Sequence, residues 1–378
     1  MDEHKKQEWQ REQADQTPQK TNLTVSTQTT PATNTQQPAE QAVETPQQIR
    51  KGIKKYIRAK RWYKASDEYL KLLDCNPYDL DALIGLAFVL DMSERYDSLC
   101  HITRRLLEIE PNSAIGLAYK ARAYQKLSRL SEATIANDQA LLLETSLGLA
   151  WINRSGLQLL QQKYPEALRS AQRATELAPK DARAWANLGI ALFHFNRLGE
   201  AIEAFDQSLE LDEDQIVALQ IKAEIYCRIG RMSEVVPLVK RVIRLNPLDI
   251  TAITQGIQAY RALEKYEELR HLAQVLIRYA PENAFAWEHY MRSLRGLGKF
   301  AEASEALDHL LALDSSNVRF WTIKADTLYR LERYREAVTT AERARHINSD
   351  YAPANRIYEK SLRLMYQRKE RNKNNQAQ

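Results

Sequence analysis

Downstream of Pro46, apolar residues recur three and four positions apart, and strand-type alternation is nowhere sustained. That period belongs to amphipathic helices with one buried stripe. Two such runs of about 13 residues, separated by short turns, form each repeating block. The turns carry markers at fixed offsets: Asn76-Pro77, Glu110-Pro111, Ala178-Pro179, Asn246-Pro247 and Ala280-Pro281. Counted from Pro77, the later prolines fall 34, 102, 170 and 204 residues downstream, all multiples of 34. The pattern predicts nine gapless helix hairpins over residues 46–351, starting at Pro46, Leu80, Ala114, Gly148, Ala182, Ile216, Ile250, Ala284 and Val318.

Positions within the 34-residue frame carry specific residue types. Position 4 is Trp in four units (Trp151, Trp185, Trp287, Trp321). Position 8 is small in six (Ala87, Ala121, Ser155, Gly189, Ala223, Ala325), and position 20 is Ala in six (Ala65, Ala133, Ala167, Ala201, Ala303, Ala337). Small side chains at those two positions allow the helices of a hairpin to cross closely. Position 11 is large in eight units, filling the gap to the next hairpin, and position 32 is Pro in five, where it ends the second helix.

The frame resembles the tetratricopeptide repeat over 306 residues. The fifth unit, Ala182-Arg183-Ala184-Trp185-Ala186-Asn187-Leu188-Gly189, matches the family's Trp, Leu and Gly positions, with Ala201 and Phe205 following in step. The resemblance implies an all-α, right-handed superhelical solenoid of antiparallel helix hairpins. Departures are Leu99, Val235 and Leu269 at position 20 and Ile257 and Met291 at position 8, where the hairpins should open slightly. Asn137 and Gln158 stand in place of apolar residues and predict looser packing between units 3 and 4. Residues 352–378 predict a helix to about Arg371 and a basic tail, capping the stack's apolar end through Ile357, Tyr358, Leu364 and Met365. Residues 1–45, dominated by Gln, Thr, Pro, Ala and Asn, read as a disordered arm with too little apolar surface to offset the entropy of ordering.

Charge is uneven. Residues 46–79 hold nine basic against four acidic side chains, residues 352–378 seven against two, and residues 80–351 hold 34 against 36. Seven histidines show no metal-ligand spacing, and no nucleophile elbow, dinucleotide fingerprint or P-loop occurs. The expectation is a non-catalytic chain without cofactor or metal. Cys75, Cys100 and Cys227 are widely spaced and fit a reducing compartment. With no membrane span and no secretory signal in the sequence, a cytoplasmic location is expected.

In the family, positions 2, 5, 6, 9, 12 and 13 of each first helix line the concave wall, and helical geometry puts all six on one face. In unit 1 they give a basic mouth of Arg50, Lys51, Lys54 and Arg58; units 2 and 3 add Ile84, Phe88, Met92, Tyr119, Arg122 and Lys126. Units 4 and 5 are apolar there, with Leu149, Ile152, Leu159, Leu160, Ile190 and Phe193 beside Asn153 and Asn187. Such residues are either an exposed docking patch or are buried by tight curvature. Units 8 and 9 return to Arg292, Arg295, Arg319 and Arg330, next to Glu288 and Asp326.

These residues predict a scaffold or adaptor for a protein or peptide ligand with an apolar centre and acidic ends. The lysine and asparagine set of a chaperone-tail receptor is incomplete. Asn153 and Asn187 resemble two rungs of the asparagine ladder with which some long arrays hold a peptide backbone. The alternatives are a nucleic-acid-associated repeat using its basic ends, disfavoured by the neutral middle, and a homo-oligomeric scaffold that self-associates through the apolar patch.

Overall fold

The computed structural model describes residues 45–376, with side chains as far as Arg371. The arm expected over residues 1–45 lies, except for Thr45, outside the described residues. Among them are nineteen α-helices and no strand. The first helices of the nine hairpins are Pro46–Arg58 (α1), Leu80–Met92 (α3), Ala114–Lys126 (α5), Gly148–Leu160 (α7), Ala182–His194 (α9), Ile216–Arg228 (α11), Ile250–Ala262 (α13), Ala284–Gly296 (α15) and Val318–Arg330 (α17). The second helices are Trp62–Cys75 (α2), Tyr96–Ile109 (α4), Leu130–Leu143 (α6), Tyr164–Leu177 (α8), Leu198–Leu211 (α10), Met232–Leu245 (α12), Tyr266–Tyr279 (α14), Phe300–Leu313 (α16) and Tyr334–Ile347 (α18). Every first helix starts at the residue the 34-residue frame predicts. Ala352–Gln376 (α19) packs on the last hairpin, burying Ala354, Ile357 and Ser361, and runs past the expected end at Arg371.

One turn geometry joins the two helices of every unit. Position 15 has a positive φ in all nine, although only Gly230 and Gly298 are glycines; Lys60, Glu94, Ser128, Gln162, Asn196, Glu264 and Glu332 adopt it as well. The next amide donates back to the carbonyl of position 11, as from Arg61 to Tyr56, Arg129 to Tyr124 and Arg333 to Leu328. This pairing satisfies carbonyls that a helix end would otherwise leave open. Position 16 is Arg or Lys in every unit. Arg129, Arg197 and Arg333 also grip Glu132, Glu200 and Glu336 three residues on, stiffening the start of the second helix.

At the other end of the unit, Asp79, Asp181, Asp249, Asn283 and Asn317 cap first helices through side-chain oxygens that accept backbone N–H bonds. Each such cap is worth about 1 kcal/mol. The four position-4 tryptophans brace the same turns, each indole N–H donating to a carbonyl six residues upstream: Thr145, Pro179, Pro281 and Ser315.

Core packing follows the residue types. The small residues at positions 8 and 20 are buried in every unit that has them. A Cβ on Gly189 would stand 2.7–2.9 Å from the Phe205 ring, so hairpin 5 closes over that ring only because the residue is glycine. The bulkier Leu99, Val235, Leu269 and Ile257 are also fully buried. Successive first helices touch from α3 to α15, which makes them the inner wall of a superhelical solenoid. Among the described residues, no helix is long and apolar enough to cross a membrane, and no cluster of His, Cys, Asp and Glu could hold a metal ion.

Candidate partner-binding groove

Along the inner wall, position 6 decides how tightly neighbouring first helices stack. Asn153 donates from Nδ2 to the carbonyl of Ala118 at 2.8 Å, and Asn187 donates to that of Ile152 at 3.0 Å and to Ser155 Oγ at 2.8 Å. Gln255 reaches the Gln220 carbonyl in the same way. Each carbonyl acceptor is position 5 of the preceding unit, 35 residues earlier. These amides therefore bind the array's own backbone. Asn153 is 1% exposed and bound to the Ala118 carbonyl, which overturns its reading as a rung for a peptide. Ile152, 2% exposed, is likewise core and not groove surface.

The wall curls strongly over units 1–6. Lys60 Nζ lies 3.6 Å from Asp212, bringing the inner turn of unit 1 to the end of unit 5. Deeper in, Asp91 Oδ2 accepts from Arg183 Nη1 at 2.5 Å across 92 residues, and Oδ1 accepts from Arg122 Nε at 3.1 Å. Arg183 also donates to Asp181 from its backbone amide, Nε and Nη2 at 2.9, 3.0 and 2.7 Å. Two carboxylates and two guanidiniums thus neutralise one another. Burial would raise the Asp181 carboxyl, but the Arg183 hydrogen bonds and charge hold it below the ordinary value. Burial would likewise favour a neutral Arg183, yet Asp181 and Asp91 keep it charged.

This curvature folds the groove into a recess of about 880 Å³. Its apolar side is Met92, Leu159, Leu160, Ile190, Ile216 and Val217; Leu160 is 57% exposed, Val217 44% and Met92 37%. The polar side holds the Asp91–Arg122–Arg183 network, Glu94, Asp212 and Asp214. Lys126 stands over the Tyr96 ring, 5.8 Å from its centroid, and is in no ion pair among the described residues. Desolvation and the Arg122 charge lower its pKa. Burial raises the Tyr96 phenol to about 12, so it stays a neutral donor at this rim.

The remaining groove candidates are placed as follows. Ile190, Phe193 and Phe88 are half-buried; Arg228 covers the Phe193 ring at 4.5 Å, and Trp62 meets Phe88 edge-on at 6.1 Å. Lys51, Lys54 and Arg58 are exposed without an acidic partner among the described residues, whereas Arg50 is bound to Asp79 at 2.7 Å. In units 8 and 9, Arg319 pairs with Glu288 at 2.7 Å, and both Arg295 and Arg330 pair with Asp326. Arg292, also exposed, is in no ion pair among the described residues. Arg122 is not free for a ligand either.

Reading the first-helix face alone missed Tyr96 and Asp212, which lie outside it, and passed over Arg183 and Val217, which stand at position 2 of units 5 and 6. Arg183 did carry a local signal, following the helix-capping Asp181 by two residues.

The sequence model of the tetratricopeptide repeat matches residues 157–216 and 292–353. The type IV pilus assembly protein PilF of Pseudomonas aeruginosa is 29% identical over 126 residues, covering 32% of this chain and half the length of that relative. Among solved structures, that of Pseudomonas aeruginosa PilF is similar with a TM-score of 0.47 at 21% identity, over 56% of this chain and 95% of that one. The Cut9–Hcn1 hetero-tetramer of the APC/C gives a TM-score of 0.43 at 17% identity, over 83% of this chain and 55% of that chain. Nine hairpins keep one unbroken 34-residue register, and two stretches of that array match the sequence model of the tetratricopeptide repeat.

Proposed function

We propose that the chain is a non-catalytic scaffold or adaptor that holds a protein or peptide segment in the recess of units 2–6. One observation carries this reading: Leu160, Val217 and Met92 remain exposed on the inner wall of a recess large enough for several side chains. Solvated apolar surface gathered in a concavity is what a partner's apolar anchor would cover. Lys126, the unpaired cation at the rim, fits an acidic group beside that anchor. Repeats of this family generally serve protein interaction, which supports the same reading. The free thiols of Cys75, Cys100 and Cys227 suit a cytoplasmic setting.

Selection of peptides from a random library on immobilised wild-type chain provides the test. Ligands rich in Leu, Phe or Met with a flanking Asp or Glu are expected. Leu160→Asp should abolish their binding and leave the helical circular-dichroism signal and its melt unchanged. Undiminished binding to Leu160→Asp would exclude the recess as the site.

A further inference from the structure

A second feature lies on the opposite side of the first helices from the groove. Asn137, at position 24 of unit 3, is 1% exposed, and neither its Nδ2 nor its Oδ1 has a partner. The same position holds Phe205, Val239 or Leu307 in other units, and in unit 2 Thr103, whose hydroxyl donates to the Leu99 carbonyl. Gln158 stands at position 11, where the other units have Leu or Tyr, and its buried Oε1 is also unpartnered. Both border a cavity of about 310 Å³ between α6, α7 and α8. Through Arg154, Gln158 and Glu166 the cavity continues into an outer cleft of about 470 Å³.

Leaving a buried carboxamide unpaired destabilises a fold more than an apolar side chain of similar size would. A fully unpaired amide at the floor of a cavity is thus better suited to receiving a group than to packing. The walls define that group. Asn137 presents N–H donors and an acceptor oxygen side by side, and a second carboxamide answers both with one planar group. Around it stand Arg154, Lys163 and Arg169, none in an ion pair among the described residues although Asp138 and Glu166 share the lining; Arg154 lies over the Trp151 ring at 5.6 Å. We propose that this cleft is a second binding site, which takes a glutamine or asparagine side chain presented by an acidic peptide. The carboxamide enters the inner cavity, and flanking carboxylates meet the three cations. Because the cleft faces away from the recess, both sites can be filled at once.

The test uses the full chain and a fluorescein-labelled peptide of sequence Glu-Glu-Gln-Glu-Glu, followed by anisotropy. Saturable binding is expected. Replacing Gln by Leu in the peptide, or Asn137→Ala in the protein, should weaken it about tenfold, the value of one hydrogen-bonded pair. Asn137→Leu should also raise the melting temperature while binding is lost, which separates a ligand-binding amide from one that holds the fold together. Leu160→Asp should leave this peptide's affinity unchanged. Equal binding by the Leu peptide or by Asn137→Ala, a lower melting temperature for Asn137→Leu, or no saturable binding to the wild type, as when ordered water alone fills the cavity, would each overturn the proposal.

Discussion

Replacing Asp91 by alanine removes the one carboxylate that joins unit 2 to both unit 3 and unit 5. Its side chain is 2% exposed, against 15% for Arg122 and 20% for Arg183. A hydrogen bond to a charged group contributes roughly 1.5–3 kcal/mol. Arg183 keeps its three bonds to Asp181, so its share of the loss falls at or below the bottom of that range. Among the described residues Arg122 has no other carboxylate, and it is left beside Arg183 and Lys126, so its share is larger. Some water reaches both arginines, which reduces the sum to ~2–3 kcal/mol, below the cost of stranding a fully buried charge. Urea is the appropriate denaturant, since guanidinium would screen the charges under test. The expected result is a lower urea midpoint, with a larger radius of gyration in small-angle scattering as the turn of units 1–6 relaxes. Adding Arg122→Met should recover part of the loss, because the stranded cation is removed with its partner. An Asp91→Ala shift under ~0.5 kcal/mol, with scattering curves that superpose on the wild type, would refute the claim that this network sets the curvature.

Other substitutions test the remaining assignments. Asn153→Ala should cost about 1 kcal/mol in urea unfolding by freeing the first helices of units 3 and 4 from each other, and peptide capture by the recess should persist. Gly189→Ala drives a methyl group into the Phe205 ring and should cost ~1–3 kcal/mol, read as a lower melting temperature. At position 15, Glu94→Gly should stabilise by up to about 1 kcal/mol and Gly230→Ala destabilise by a similar amount, since both backbones are left-handed. Asp181 has a folded pKa below its unfolded value. Its contribution is therefore complete above the ordinary aspartate pKa of about 4 and is lost as pH falls through the lower folded value, so Asp181→Asn should flatten the acid limb of a stability–pH profile.

What the sequence made legible, and what it hid, follows from how far each contact reaches. Hairpin starts, the small residues at positions 8 and 20, and the tryptophans at position 4 are set by contacts within a unit or to its neighbour, so they repeat every 34 residues. The position-15 conformation was hidden in most units because Lys, Glu, Ser, Gln and Asn occupy it more often than Gly. Its visible sign is the Arg or Lys that follows without exception. The groove was half legible. A face can be read from the 3.6-residue period, but exposure on that face depends on a twist accumulated over several units. Ile152 and Leu160 share the expected face, yet one is core and the other open. Asn153 failed as a ligand contact for a related reason. A carboxamide at position 6 reaches a carbonyl 35 residues upstream, one frame plus one residue, as readily as it could reach a guest backbone. Asn187 and Gln255 do the same, so the ladder on this wall holds repeat to repeat, and partner recognition falls to the apolar side chains and the unpaired lysine around it.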